Sequence, residues 1–279
     1  MVRTLCYNFL VLHLRVLTAA VGLPAILLAV ILGPGPFCIF LGVVSAVCSV
    51  ELGRLHPHAP RDGLPVLMVV WAVALSLRFL TPLGDMPGLL ITLPLVVALG
   101  MLVPLASLKR ASPSWAWSVA GAIYVGWLMG YWGGLYSLES GAALVVFGLF
   151  TTFAYDTCAY LTGRSVGKHK VIPSVSSGKT WEGVVGGFCG ALVAGLATHT
   201  VLGHFMGPFP FGSAVALGLA ALLAIAAQTG DLVESALKRG AGVKDAGKIL
   251  PGHGGMLDRF DSVLFTGTVL YYVSLWLTA

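Results

Sequence analysis

Residues 209–239 read FPFGSAVALGLAALLAIAAQTGDLVESALKR, and no charged side chain interrupts the run before Asp231. Water cannot solvate such a stretch, whereas a bilayer can. A spanning helix needs roughly 20 apolar residues, so 209–237 is too long for one crossing. It is predicted to project past the membrane at its C-terminal end. Asp231, Glu234, Ser235 and Lys238 fall at i, i+3, i+4 and i+7, on one face of a helix whose other face is apolar. This pattern suits either a solvated helical face or a working site. An acid so close to an apolar run favours the second, because carboxylates are costly at membrane depth.

The rest of the chain repeats the first half of this pattern. It has 279 residues, 57% of them hydrophobic and 10% charged, against about 25% charged in an ordinary soluble domain. Predicted spans run near 13–32, 36–53, 64–81, 87–106, 114–136, 141–163, 182–203, 209–237 and 260–278, about nine in all. The fold class expected is all-α, a polytopic transmembrane helix bundle forming a single integral membrane domain over 1–279. Pro24, Pro94 and Pro104 fall inside spans, where lipid-embedded helices tolerate them. The first span follows Arg3 and Arg15 as a signal peptide would. No small-residue cleavage site clearly ends it, so it is read as a retained anchor.

Charge predicts orientation. With the N-terminus in the cytoplasm, all of the 16 Lys and Arg except Arg78 fall on the cytoplasmic side, as the positive-inside rule requires. The net charge of +5 then reflects topology and anionic lipid heads rather than nucleic-acid binding. The five cysteines show no CxxC spacing and read as small apolar packing residues. Residues 1–150 carry few charges outside short loops, Glu51 near the end of the second span being an exception, and are expected to be mainly scaffold. Residues 151–279 hold nine of the 16 bases and most of the 11 acids, and are expected to be the catalytic half. Gly126, Gly130 and Gly134, and again Gly186 and Gly190, recur four apart. Such spacing serves close helix packing or a homodimer face.

Four polar clusters lie near the cytoplasmic face. Asp156, Tyr160, Gly163 and Arg164 share one helical face, as a stabilising Asp–Arg pair or as part of a site. Ser176-Ser177-Gly178-Lys179-Thr180-Trp181-Glu182-Gly183 precedes the seventh span. A Ser or Thr there can cap the helix, and a helix N-terminus beside a lysine suits phosphate. The segment lacks the upstream glycine of a Walker A loop. The third cluster is the Asp231–Arg239 face. The fourth begins Gly240-Ala-Gly242-Val-Lys244-Asp245-Ala-Gly247-Lys248. It continues Pro251-Gly-His253-Gly254-Gly255-Met-Leu-Asp258-Arg259-Phe-Asp261. Its glycines can close backbone N–H groups around phosphate oxygens, with Lys244 and Lys248 adding positive charge. Asp258 and Asp261, with Asp231, would form a hard oxygen site for Mg²⁺. His253 alone is as well explained by a structural hydrogen bond. Lysines, glycine loops and carboxylates on one membrane face suit a metal–polyphosphate substrate, and the apolar helices suit a lipid co-substrate.

The run from Ser235-Ala-Leu-Lys238-Arg239 through Lys244-Asp245 and Pro251-Gly-His253-Gly254-Gly255 to Asp258-Arg259-Phe-Asp261 closely resembles a family signature. It is the C-terminal signature of the bacterial phosphatidate cytidylyltransferases, or CDP-diacylglycerol synthases. The segments Asp156–Arg164 and Lys179-Thr-Trp-Glu182-Gly183 look like family segments too, as does Arg15-Val-Leu-Thr-Ala more weakly. One departure is visible: Ser177 stands where the resemblance leads one to expect proline, which frees one backbone dihedral but removes no charge.

The resemblance implies the reaction CTP + phosphatidic acid → CDP-diacylglycerol + pyrophosphate. It implies Mg²⁺, with K⁺ as an assisting ion, and residence in a bacterial inner membrane with the active site facing the cytoplasm. It implies metal ligation by Asp231, Asp258 and Asp261. Ser235, Lys238 and Arg239 would hold substrate phosphates and Lys179 would neutralise charge at a helix start. Lys244, Lys248, His253 and Arg259 would join them in binding substrate, and Asp156 would organise the nucleotide side. Two other readings compete. A CTP-dependent polyprenol kinase would share the metal–nucleotide logic but move the γ-phosphoryl group. A transporter would fit the spans, but the charges gather at one face and no inverted repeat is visible.

Overall fold

A backbone in lipid has no water to bond to, so helices satisfy its N–H and C=O groups within one segment. The computed structural model describes residues 20–56, 64–80, 87–100, 108–207, 209–249 and 254–278. The expectations placed on Arg3, Arg15, Pro104, Pro251 and His253, and on the N-terminus, fall outside them. Among the described residues no strand forms; the one β contact is a bridge between Lys170 and Thr180.

The helices are α1 (Ala20–Ile31), α2 (Pro34–Arg54), α3 (Leu64–Ser76), α4 (Pro87–Gly100), α5 (Leu108–Ala122), α6 (Leu128–Tyr136), α7 (Gly141–Val166), α8 (Trp181–Phe205), α9 (Ser213–Gly240) and α10 (Leu257–Thr278). A π-helical turn, Ile123–Trp127, joins α5 to α6. Five helices (α2, α7, α8, α9 and α10) are long and apolar enough to cross a membrane, and α1, α3 and α4 are shorter apolar helices. The expected run at 114–136 is helical throughout, with the π-helical turn inside it. Pro94 sits inside α4, as expected. The 28 residues of α9 span roughly 42 Å at 1.5 Å per residue, well over the ~30 Å hydrocarbon core. Its last turns carry the Asp231–Arg239 face.

Two compact units emerge. The first comprises Met1–Gly130 and Ala241–Phe260. Its α3 packs through Met68, Trp71 and Leu75 with Leu90 of α4 and Ala122 of α5. Trp71 donates to the Leu90 carbonyl at 2.8 Å and Trp117 to that of Leu52 at 3.0 Å. Arg78, expected at an external loop, is 3% exposed. Its guanidinium donates to the carbonyls of Leu75 and Trp127 and lies 4.3 Å from the Trp127 ring centre. A Cβ at Gly126 would stand 2.3 Å from the Ala72 carbonyl oxygen, and one at Gly130 2.1 Å from Arg78 Nη1.

The second unit comprises Tyr131–Gly240 and Asp261–Ala279. There α7 and α8 run together along a glycine seam. A Cβ at Gly186 would meet Thr162 Oγ1 at 2.2 Å, and one at Gly190 would meet Cys158 Sγ at 2.4 Å. The small residues at 126, 130, 186 and 190 thus serve packing within each unit. Tyr155, Ala191, Ala224 and Ala227 form the core between α7, α8 and α9. Trp132 donates to the Val263 carbonyl of α10 at 2.9 Å. Exposed apolar residues such as Val185, Val193 and Ile225 are what a lipid solvent accepts at no cost.

Candidate active site

The site in the second unit begins where α9 runs out of apolar residues. Gly230 allows close approach there: a Cβ on it would lie 2.5 Å from the Asp261 carbonyl oxygen of α10. Asp231 and Glu234, one turn apart on α9, therefore meet the side chain of Asp261. One carboxylate oxygen from each lies within 4.8 Å of the others. Glu234 is fully buried and Asp261 7% exposed.

Positive charge comes from two places. Lys179, just before α8, places Nζ 2.7 Å from Asp231 Oδ2. Lys238 pairs with Glu234 one turn back along α9. Asp156 of α7 joins from a third side, its Oδ1 accepting from Ser262 Oγ at 3.2 Å, while the Ser262 N–H donates to Asp261 Oδ1 at 2.7 Å. The charges of Asp231, Asp156 and Glu234 all act on Asp261. When ionised, these four carboxylates face two lysines, leaving two negative charges for a divalent cation. Opposite ligands of Mg²⁺ stand about 4.2 Å apart, so the oxygen set can close on one ion with small side-chain shifts. Asp231, Glu234 and Asp261 are the residues that could hold it.

The expected residues divide as follows. The structure brings together Asp231, Asp261, Lys179, Lys238 and Asp156, with Ser235 Oγ 3.5 Å from Asp231 Oδ1. Glu234 is the addition. The sequence pattern groups it with Asp231 on one face, and its i+3 spacing is the available signal. Arg239 Nε donates to the Val175 carbonyl at 3.1 Å, tying α9 to the loop before α8. Arg164 pairs with the Tyr160 hydroxyl at 2.7 Å. Thr180 caps α8, accepting from the Gly183 N–H at 3.2 Å, and Glu182 accepts from the N–H groups of Lys168 and His169.

The glycine-rich loop belongs to the first unit. Gly242 and Gly254 have φ of +71° and +81°, conformations that glycine adopts without strain. Lys244, Lys248 and Arg259 are exposed. Asp258, in the first turn of α10, accepts from the N–H groups of Ala246 at 3.0 Å and Gly255 at 2.7 Å through Oδ2. It therefore folds the loop back on the helix start.

Sequence reasoning missed the residue beneath this loop. Glu51 of α2 is fully buried, and its Oε2 accepts from the Leu257 N–H at the start of α10 at 2.8 Å. Cβ atoms on Gly247 and Gly255 would lie 2.2 Å from Oε1 and 2.5 Å from Oε2. The loop glycines are thus small because a carboxylate occupies the space beside them. A negative charge at a helix N-terminus is also favourable. No local signal marks a pairing over 206 residues.

Apolar helices long enough to cross a membrane, one of them ending in a carboxylate–lysine cluster that could hold a divalent cation, mark a helical membrane protein. The chain belongs to the cytidylyltransferase family, whose model matches residues 13–277. It is 34% identical over 263 residues to a phosphatidate cytidylyltransferase of Bacillus subtilis, covering 93% of this chain and 96% of that one. It is also 34% identical over 268 residues to one of Thermotoga maritima, covering 93% and 94%. It is 46% identical over 136 residues to the Escherichia coli protein YnbB, covering 49% of this chain and 44% of that one; the chain therefore spans less than half of that relative.

Proposed function

We propose that this chain transfers the cytidylyl group of CTP to phosphatidic acid, releasing pyrophosphate and leaving CDP-diacylglycerol in a bacterial inner membrane. Near-full-length similarity to two phosphatidate cytidylyltransferases supports the reading. The observation that carries it is the meeting of Asp231, Glu234 and Asp261 within 4.8 Å, at the polar end of an apolar helix and beside Lys179 and Lys238. A lipid phosphate and a nucleotide polyphosphate can both reach such a place.

The chemistry asks mainly for positioning and charge neutralisation. A phosphatidate oxygen attacks the α-phosphorus of CTP, and the bond to pyrophosphate breaks. A phosphate monoester is already nucleophilic near neutral pH, so no protein base is required. Mg²⁺ held by the carboxylates, with K⁺ as an assisting ion, would supply charge stabilisation for the phosphates. Lys179 and Lys238 are positioned to shift from their carboxylate partners to phosphate oxygens. Asp258 accepts from two loop N–H groups, and its role as a metal ligand rests on the resemblance. Lys244, Lys248, Arg239, Arg259 and His253 fit substrate-phosphate roles. The about nine crossings, with the N-terminus and the site in the cytoplasm, follow the distribution of Lys and Arg. Homodimerisation would need a face other than the glycine stripes at 126, 130, 186 and 190.

The test uses purified protein, phosphatidic acid, Mg²⁺ and CTP labelled on its α-phosphate. Label passing into a chloroform-soluble product, dependent on lipid and metal, is the expected result. Label left in water as CDP beside a newly phosphorylated lipid would instead assign a kinase.

A further inference from the structure

The segment that joins α7 to α8 carries basic side chains that the cation cluster does not use. Between residues 157 and 181 the sequence has four bases, Arg164, Lys168, Lys170 and Lys179, and no acid. Lys179 is committed to Asp231. Arg164, Lys168 and Lys170 are exposed. Glu182, the next acid along the chain, is engaged by the segment itself. It accepts from the N–H groups of Lys168 and His169, and His169 Nδ1 lies 2.6 Å from its Oε1. The three exposed bases therefore stand on a stretch with no carboxylate of its own to balance them.

The segment is held in one shape at the end of two long helices. An antiparallel bridge joins Lys170 to Thr180. It is flanked by bonds from the Val171 N–H to the Lys179 carbonyl at 3.2 Å and from the Trp181 N–H to the His169 carbonyl at 2.9 Å. Arg239 holds the middle through the Val175 carbonyl. The helices on either side, of 26 and 25 residues, are long and apolar enough to cross a membrane. Each spans roughly 38 Å at 1.5 Å per residue, against a hydrocarbon core of ~30 Å, so a crossing helix of this length projects into the headgroup zone. Apolar side chains accompany the bases: Val166 and Trp181 are each 56% exposed and Ile172 is 38% exposed. Tryptophan is favoured at headgroup level. Lysine and arginine stems can lie along apolar surface while their charges reach the phosphates.

We propose that residues 164–181 form a docking surface for anionic phospholipid headgroups, with Arg164, Lys168 and Lys170 on lipid phosphates and Val166, Ile172 and Trp181 at the edge of the acyl region. Charge complementarity selects the occupant. A zwitterionic headgroup offers these bases no net charge, whereas an anionic one attracts each of them. The apolar side chains favour a lipid over a free polyphosphate. The same segment carries Lys179 into the carboxylate cluster, so lipid gathered here lies on the stretch of chain that serves the candidate site. The inference does not depend on the proposed cytidylyl transfer: phosphatidylglycerol, which that reaction does not consume, would occupy the surface.

The comparison is between phosphatidylglycerol and phosphatidylcholine of matched acyl chains, supplied in equal amounts to the purified full chain in detergent micelles. Lipid retained by the protein is read by native mass spectrometry. The wild-type protein should retain phosphatidylglycerol in preference. Lys168→Gln with Lys170→Gln should cut that preference about fivefold or more, the effect of one charge near a lipid surface. Raising the salt to about 1 M, where the screening length is ~3 Å, should cut it in the wild type. Lys168→Arg with Lys170→Arg keeps both charges and should keep the preference. Trp181→Ser should lower retention of both lipids alike. Equal retention by the wild type, or the full preference in the double glutamine variant, would overturn the surface. So would a raised KM for CTP in that variant with lipid retention unchanged, which would assign the two lysines to the nucleotide. Retention needs no turnover, so a failure of cytidylyl transfer is read separately from a failure of the surface.

Discussion

Glu234 carries the heaviest burden of any single side chain in the site. It is fully buried, pairs with Lys238 and contributes to the three-carboxylate set. Glu234→Gln keeps its volume but removes the charge that both the lysine and a cation need. It should lower turnover by about 10–100-fold and raise the Mg²⁺ concentration for half-maximal rate; titrating Mg²⁺ against labelled-CTP turnover checks both. Asp258 is separable. Asp258→Ala removes the acceptor for two loop N–H groups as well as an expected metal ligand. It should abolish turnover and also speed proteolytic cleavage between residues 241 and 256. Asp258→Asn, which keeps one acceptor oxygen, should slow that cleavage again. Full turnover by the alanine variant would remove Asp258 from the metal set.

At the level of elements, the seam between α7 and α8 is set by absent side chains. Gly190→Val would push a methyl into Cys158, displacing neighbouring helices rather than a flexible tip. It should lower the detergent melting temperature far more than Thr180→Ala, which removes one cap bond worth about 1 kcal/mol. A melting series on the two variants gives the order. Most of the elements were legible in the sequence because the apolar runs that define spans also define helices. The Thr180 cap and the overlong α9 were readable from Ser/Thr placement and from length. The π-helical turn at Ile123–Trp127 was not: it lies where Gly126 meets the Ala72 backbone, a tertiary contact with no local trace.

For the molecule as a whole, charge distribution is the testable feature. A single cysteine placed at Lys248 in a background free of other cysteines should react with an impermeant maleimide in inverted membrane vesicles but not in intact cells. Labelling from the outside would reverse the proposed orientation. The candidate site was legible in part for a similar reason. Asp231 and Asp261 stood out as acids beside apolar runs, and their pairing followed from the resemblance. Glu234 was hidden by its own regular spacing, which reads equally well as a wet helical face. Glu51 was hidden more deeply, because its role depends on a partner distant in the chain.

The bond from Glu51 to the Leu257 N–H also has a consequence in time. The glycine-rich loop settles against a helix made near the beginning of synthesis, yet it is translated near the end. The first compact unit therefore cannot be completed while the ribosome is still working through α7, α8 and α9. Until then Glu51 waits as a carboxylate in an unfinished membrane protein, without the helix start that will cover it. Nascent chains stalled before residue 241 should accordingly be open to protease and to quality-control factors at α2, and should gain protection abruptly once the loop has emerged.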